Sequence, residues 1–321
     1  MKKISPITII KTLISCLILG VLFWQVDIPH LLRQLDRLTL PFTLFALCFY
    51  AGCQWLSCIR WQVILKSHGA QHSLGELFSS YFGGMFLNTF LPSSIGGDVY
   101  RVYRLSQSHG ESEIAFVSVF LERITGVIAL MGIALVAFVP AIQILGRPDI
   151  LFLLLGCSIL LGGAIALMSS PWVLQRASPI LLRLKLKALT DKFVKIQALL
   201  IQFSTHHQEL GLTLLLSLVL QLLLVFYYFL IAQQLDINIS YGVLLIFIPI
   251  ITIISMLPIS LGGYGIKEGT VSYLFTRIGL SLEQALLFSI SISFLGLLLS
   301  LPGAIVLLKR SPSKKLQNNK P

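Results

Sequence analysis

The apolar residues of this chain come in long runs rather than at regular intervals. Neither the three-to-four spacing of an amphipathic helix nor the alternation of a half-buried strand organises them. The runs approach the roughly 20 residues that a helix needs to cross the hydrocarbon core of a bilayer. Full spans are predicted at about 6–26, 40–59, 114–139, 150–170, 211–234 and 282–308. A closed barrel would show short alternating strands instead, and the pattern has none. The expected fold class is an all-α integral membrane protein, since helices satisfy their own backbone hydrogen bonds in lipid. Composition agrees: at 56% hydrophobic and 12% charged residues, with a mean hydropathy of +0.88, the apolar surface cannot be hidden from water.

Two further apolar segments, 75–98 and 241–280, are broken in the middle by Pro and Gly. The breaks read LPSSIGGDVYR at 91–101 and LPISLGGYGIK at 257–267. Leu, Pro, Ser, Gly and Gly recur in the same slots, so Ser94 matches Ser260, the pair Gly96–Gly97 matches Gly262–Gly263, and Arg101 matches Lys267. Each segment is either an ordinary pair of spans joined at the water surface or a re-entrant hairpin that turns within the membrane and leaves on its own side. The hairpin reading is preferred because stretches such as 99–110 are thin as full spans. With the N-terminus inside and both hairpins returning, 18 of the 24 Lys and Arg fall on the cytoplasmic side, five fall outside, and Arg123 lies within a span. The same assignment opens the first hairpin to the cytoplasm and the second to the outside. Halves of about 1–140 and 150–308 then form an inverted repeat within one membrane domain, 1–310.

The remaining segments refine this picture. The Lys2–Lys3 start resembles a signal peptide, but its apolar run lacks a small-residue cleavage site and is expected to stay as an anchor. Residues 171–210 read as a basic amphipathic helix on the anionic cytoplasmic leaflet, and the polar tail 311–321 as disordered. Both termini are expected in the cytoplasm, with the chain in the cytoplasmic membrane. All five cysteines sit in apolar runs, where they serve packing.

Candidate chemistry concentrates at the breaks and at one pair of charges. Pro92 with Gly96–Gly97 can end one half-helix and start another, leaving free N–H groups that suit an anion. Asp98 is placed to cap that start, and Arg101 and Arg104 share a face beside Tyr100 and Tyr103. Those arginines either meet a phosphate at the mouth or only anchor the segment at the interface. Glu122 and Arg123 fall about 15 Å below Glu113, near the bilayer midplane, where charge costs several kcal/mol unless it faces partners or water. As neighbours they point about 100° apart and need separate partners. Asn88 can bind a headgroup or the freed backbone. His68 and His72 are spaced for a helix face, but Gly69 and the adjoining loop argue against a metal pair. No cofactor, metal or nucleic-acid partner is expected.

Four stretches together resemble a known family: RWQVIL at 60–65, GGDVYRVYRL at 96–105, ERITG at 122–126 and LPISLGGYGIKEG at 257–269. They are similar to the membrane domain shared by lysyl-phosphatidylglycerol synthases and flippases and by small flippase-like proteins, over nearly the whole chain. The family usually carries Arg where this chain has Lys267, beside Glu268. Full-length members continue into a soluble aminoacyltransferase domain, and a stand-alone membrane domain without it is expected here. The resemblance implies translocation of an anionic phospholipid or lipid-linked phosphate, and the scattered acidic residues and a longest polar loop of about 40 residues make an enzyme the less expected class. Candidate substrate-binding residues are Asn88, Ser94, Gly96, Gly97, Asp98, Arg101, Arg104, Glu122, Arg123, Ser260, Gly262, Gly263, Lys267 and Glu268. A membrane transferase acting on a lipid phosphate and an ion-coupled carrier of a small soluble anion are the alternatives, and a homo-oligomer is left open.

Overall fold

The structure is a computed structural model that describes residues 6–90, 96–109, 112–145, parts of 152–163, 187–256 and 263–309. The described residues are helical, with no strand among them. The first half begins with α1 (Pro6–Trp24), α2 (Ile28–Gln34) and α3 (Leu40–Ser67), and continues with α4 (Leu74–Phe90), α5 (Gly96–His109) and α6 (Ser112–Leu145). The second contains α7 (Lys187–Thr205), α8 (His207–Gln234), α9 (Tyr241–Met256), α10 (Ile266–Arg277), α11 (Leu282–Ser300) and α12 (Pro302–Lys309).

Four stretches are long and apolar enough to cross a membrane: Leu40–Ser67, Ser112–Phe138, His207–Gln234 and Leu282–Leu308. They carry four of the six expected spans. Ser15–Trp24 and Tyr241–Met256 are shorter apolar helices. Most of the expected span 150–170, the residues 171–186 and the tail 311–321 lie outside the described residues, as do the tips of both broken segments, with Pro92, Ser94, Ser260 and Gly262. Large apolar side chains such as Leu17, Trp24, Val136 and Leu215 are exposed. On helices of this composition they are the surface that meets lipid.

The apolar run predicted to end at residue 59 belongs to a helix that continues to Ser67. Arg60, counted with the cytoplasmic charges, is buried two turns before that end. An apolar run stops at its first charge, whereas a helix propagates as long as its backbone bonds are made. α3 and α8 are antiparallel. Arg37, before α3, donates to the Leu235 carbonyl after α8 (2.8 Å), and Arg60 near the other end donates to Ser217 Oγ (3.0 Å).

Packing between the halves is reciprocal. α4 and α5 lie against each other, as do α9 and α10; α5 packs on α6 and α10 on α11. In exchange, α4 packs on α11 and α12 of the second half, and α9 packs on α6 of the first. On the described part of α7, Ile196, Leu199, Leu200 and Phe203 pack on Ile64, Val117 and Leu121, while Val194 and Ile201 are exposed. His68 reinforces the contact with one ring nitrogen 3.1 Å from the Leu199 carbonyl.

Two glycines set how closely these helices approach. A Cβ at Gly97 would lie 2.2 Å from the Gly84 carbonyl oxygen, and one at Gly303 would lie 2.1 Å from that of Phe82. Gly97 holds α5 against α4, and Gly303 holds α12 against α4. Gly132, on α6, has no such neighbour within 4 Å. Gly97→Ala and Gly303→Ala are therefore expected to lower the melting temperature of the detergent-solubilised protein. Gly132→Ala is expected to leave it unchanged or raise it, since Ala favours a helix interior over Gly by up to about 1 kcal/mol.

Candidate functional site

α6 carries Glu122 into a region where the residue is 2% exposed. Both carboxylate oxygens are taken. Oε1 accepts from Arg60 Nη2 on α3 at 3.0 Å, and Oε2 accepts from Arg101 Nη2 on α5. The Arg101 guanidinium is held between two aromatic rings, 4.0 Å from the centroid of Trp61 and 4.3 Å from that of Tyr81. Trp61 is itself fixed by its indole N–H donating to Ser118 Oγ (3.0 Å). A carboxylate this deep stays charged because two cations face it, and the cations are tolerated because a carboxylate and π-faces replace their water.

Arg123, one residue on and a different way round the helix, pairs through Nε with Asp98 in the first turn of α5. Asp98 also stands 3.6 Å from Arg101. The charges therefore alternate from Arg60 through Glu122, Arg101 and Asp98 to Arg123. Asp98 is engaged with the arginines. The Gly97 N–H at the start of α5 donates instead to Asn88 Oδ1 on α4 (2.6 Å), so a side chain already occupies the position expected for an anion. Arg101 and Arg104 both turn inward, at 5% and 8% exposure, rather than forming a basic face at a mouth. Arg104 ties α5 to α4 by donating to Ser79 Oγ (2.9 Å), and also donates to the Tyr100 hydroxyl (3.1 Å).

In the second half, Gly263 and Gly265 both adopt φ +85°, a conformation that glycine enters at little cost. They lead into α10, whose first turn carries Lys267 and Glu268. Glu268 Oε2 accepts from the Gly265 N–H (2.7 Å), capping its own helix, and Ser289 donates to Oε1 (3.4 Å). Lys267 donates to Ser293 Oγ on α11 and lies 3.6 Å from Glu268.

Three recesses connect these groups. A chamber of about 250 Å³ is lined by Arg60, Arg101, Arg123, Asp98, Glu122 and Asn88, among others. A second, of about 330 Å³, is bordered by Asn88, Arg123 and Lys267, and a third, of about 270 Å³, by Asn88, Gly263 and Lys267. Asn88 borders all three, so the described ends of the two broken segments converge on shared space. Three guanidinium groups against two carboxylates leave the first chamber with one net positive charge. Among the described residues no group of three His, Cys, Asp or Glu could hold a metal ion. His68 contacts carbonyls, and His72 lies 3.2 Å from Glu76.

A family model for the transmembrane region of lysylphosphatidylglycerol synthase matches residues 8–303. The chain belongs to that family. A UPF0104 membrane protein of Pyrococcus horikoshii is 26% identical over 346 aligned positions, covering 96% of this chain and 97% of its relative. No solved structure matches this chain. For this family member the residues that sequence reasoning left out as site candidates are Arg60, Trp61, Tyr81, Ser217 and Ser293. Arg60 and Trp61 open one of the stretches that carried the resemblance. The others are ordinary residues of apolar helices and gave no signal.

The clamp on Glu122 has a direct test. Glu122→Gln takes the shared carboxylate from two buried guanidinium groups, Arg60 and Arg101, and breaking such a pair costs about 3–5 kcal/mol. A large fall in melting temperature and in recovery of monodisperse protein is expected. Arg123→Gln, at a side chain 32% exposed, should cost clearly less.

Proposed function

We propose that this protein translocates an anionic phospholipid or lipid-linked phosphate between the leaflets of the cytoplasmic membrane, acting as a flippase and not as an enzyme. The observation that carries the reading is the net positive charge of a chamber bordered by Arg123 and Asn88, two residues that also border a cavity with Lys267. A phosphate supplies the charge this arrangement lacks, and the family name associates the fold with a phosphate-bearing lipid, phosphatidylglycerol with a lysyl group added. In the proposed architecture six spans surround two opposed re-entrant hairpins, α4–α5 and α9–α10, in an inverted repeat. The reciprocal packing of each hairpin on the other half's spans supports it.

Vesicles with the reconstituted protein test this with phosphatidylglycerol tagged on its headgroup, read by protection from a membrane-impermeant quencher. Arg123→Gln and Lys267→Gln should each slow headgroup movement by at least about tenfold, the factor that 1.4 kcal/mol gives. Lys66→Gln, at an exposed residue ending α3, should not. Equal slowing by all three, or uptake of a soluble anion with no lipid movement, would reverse the conclusion in favour of a carrier.

The topology is tested separately with single cysteines in a cysteine-free background. Ser106 should react from the cytoplasm and Ser240 from outside. Reaction of both from one side would remove the inverted repeat.

A further inference from the structure

A fourth recess, beside the charged chamber, has a different character. It is a groove of about 410 Å³ between α5 and α6, walled by Val99, Val102, Phe116, Val119 and Phe120, with Met256 from the end of α9. Among the described residues its polar lining is Asp98 and Arg123, which also border the charged chamber. Their ion pair is thus a partition: apolar wall lies on one side and net positive charge on the other. Val99 is 62% exposed and Phe116 41% exposed, so the groove is open along its flank. Phe116 and Arg123 are seven residues apart on α6, a length of roughly 10 Å that runs from the Glu113 end of the span toward its middle.

We infer that this groove docks a hydrocarbon tail of an anionic amphiphile, whose phosphate competes with Asp98 for Arg123 at the inner end. The inference rests on the proposed translocation and locates the part of the substrate that stays in hydrocarbon. Two features select the occupant by chemistry. A small soluble anion makes no use of five apolar walls beside the cation, and a neutral apolar molecule makes none of the guanidinium that ends them. Only a molecule with a tail and a negative head matches both, and burial of the tail against these side chains is favourable in proportion to the area covered. In the absence of substrate Asp98 pairs with Arg123, and a phosphate offers that guanidinium a better-matched set of acceptor oxygens.

The full chain in phosphatidylcholine nanodiscs provides the test. A photo-crosslinking benzoylphenylalanine is placed at Phe116 in the groove, or at Val136, exposed on the same helix but outside it. Trace phosphatidylglycerol or phosphatidylcholine carries an alkyne in one acyl chain. Phe116 should capture the phosphatidylglycerol probe at least about tenfold more than Val136 does, the factor that about 1.4 kcal/mol of extra affinity gives. Val102→Trp should fill the groove and remove most of that excess. Val99→Trp, at a more exposed position that tolerates a large side chain, should do the same in protein whose elution profile is unchanged. Equal capture at Phe116 and Val136, no effect of either tryptophan, or an adduct with a second copy or another segment of the chain would overturn the groove. Equal capture of the two lipids at Phe116 would overturn the role given to Arg123. Headgroup translocation that persists while groove capture fails leaves the proposed function standing. Selective groove capture without translocation removes that function and keeps the groove.

Discussion

The Glu122 carboxylate has to remain charged where almost no water reaches it, and the arrangement of the first half follows from that constraint. Two guanidinium groups from different helices are needed, one for each oxygen. Meeting that need fixes α3 and α5 against α6, and the second donor of Arg60, on Ser217, extends the clamp to α8. With Arg101 committed to Glu122, Asp98 is left to face Arg123. The cluster of three arginines and two carboxylates carries one net positive charge. The same fixing of α5 brings Gly97 under Gly84 and within reach of Asn88, which places the beginning of α5 beside the recesses shared with the second half.

How much of this could be read from the sequence depends on whether the signal was local. Glu122 and Arg123 stood out because a charge inside an apolar run is costly and has few explanations, and adjacency alone indicated separate partners. The structure gives them separate partners, Arg60 and Arg101 for one and Asp98 for the other. The direction of Arg101 and Arg104 was not legible. A face of a helix can be drawn from spacing, but in a membrane bundle the polar face turns toward protein rather than water, and nothing local says which neighbour receives it. Arg60 illustrates the same limit: it closes an apolar run as an interfacial charge would, and only its partner, 62 positions away, shows that it is interior.

The two motif copies also differ in a way that their matching letters conceal. In the first, the helix start is capped from outside, by Asn88 on the preceding helix. In the second, Glu268 caps its own helix through the Gly265 N–H. The slot of Asp98, which serves an arginine cluster in the first copy, holds Tyr264 in the second, where the carboxylate is Glu268, four positions on, serving backbone beside Lys267.

That exchange gives the shared space a direction in charge. Lys267 has Glu268 at 3.6 Å, so the pair contributes no net charge to the cavities it borders, whereas the chamber around Arg123 keeps its excess. The lysine, a compact donor on a flexible stem, is also a weaker match to phosphate than a planar guanidinium. In the proposed function an anion is therefore held more firmly on the Arg123 side and more loosely near Lys267. A pathway whose two ends bound phosphate equally and tightly would trap it. In the proposed function the offset between the ends, produced by one capping carboxylate, lets the same space both collect a headgroup and let it go.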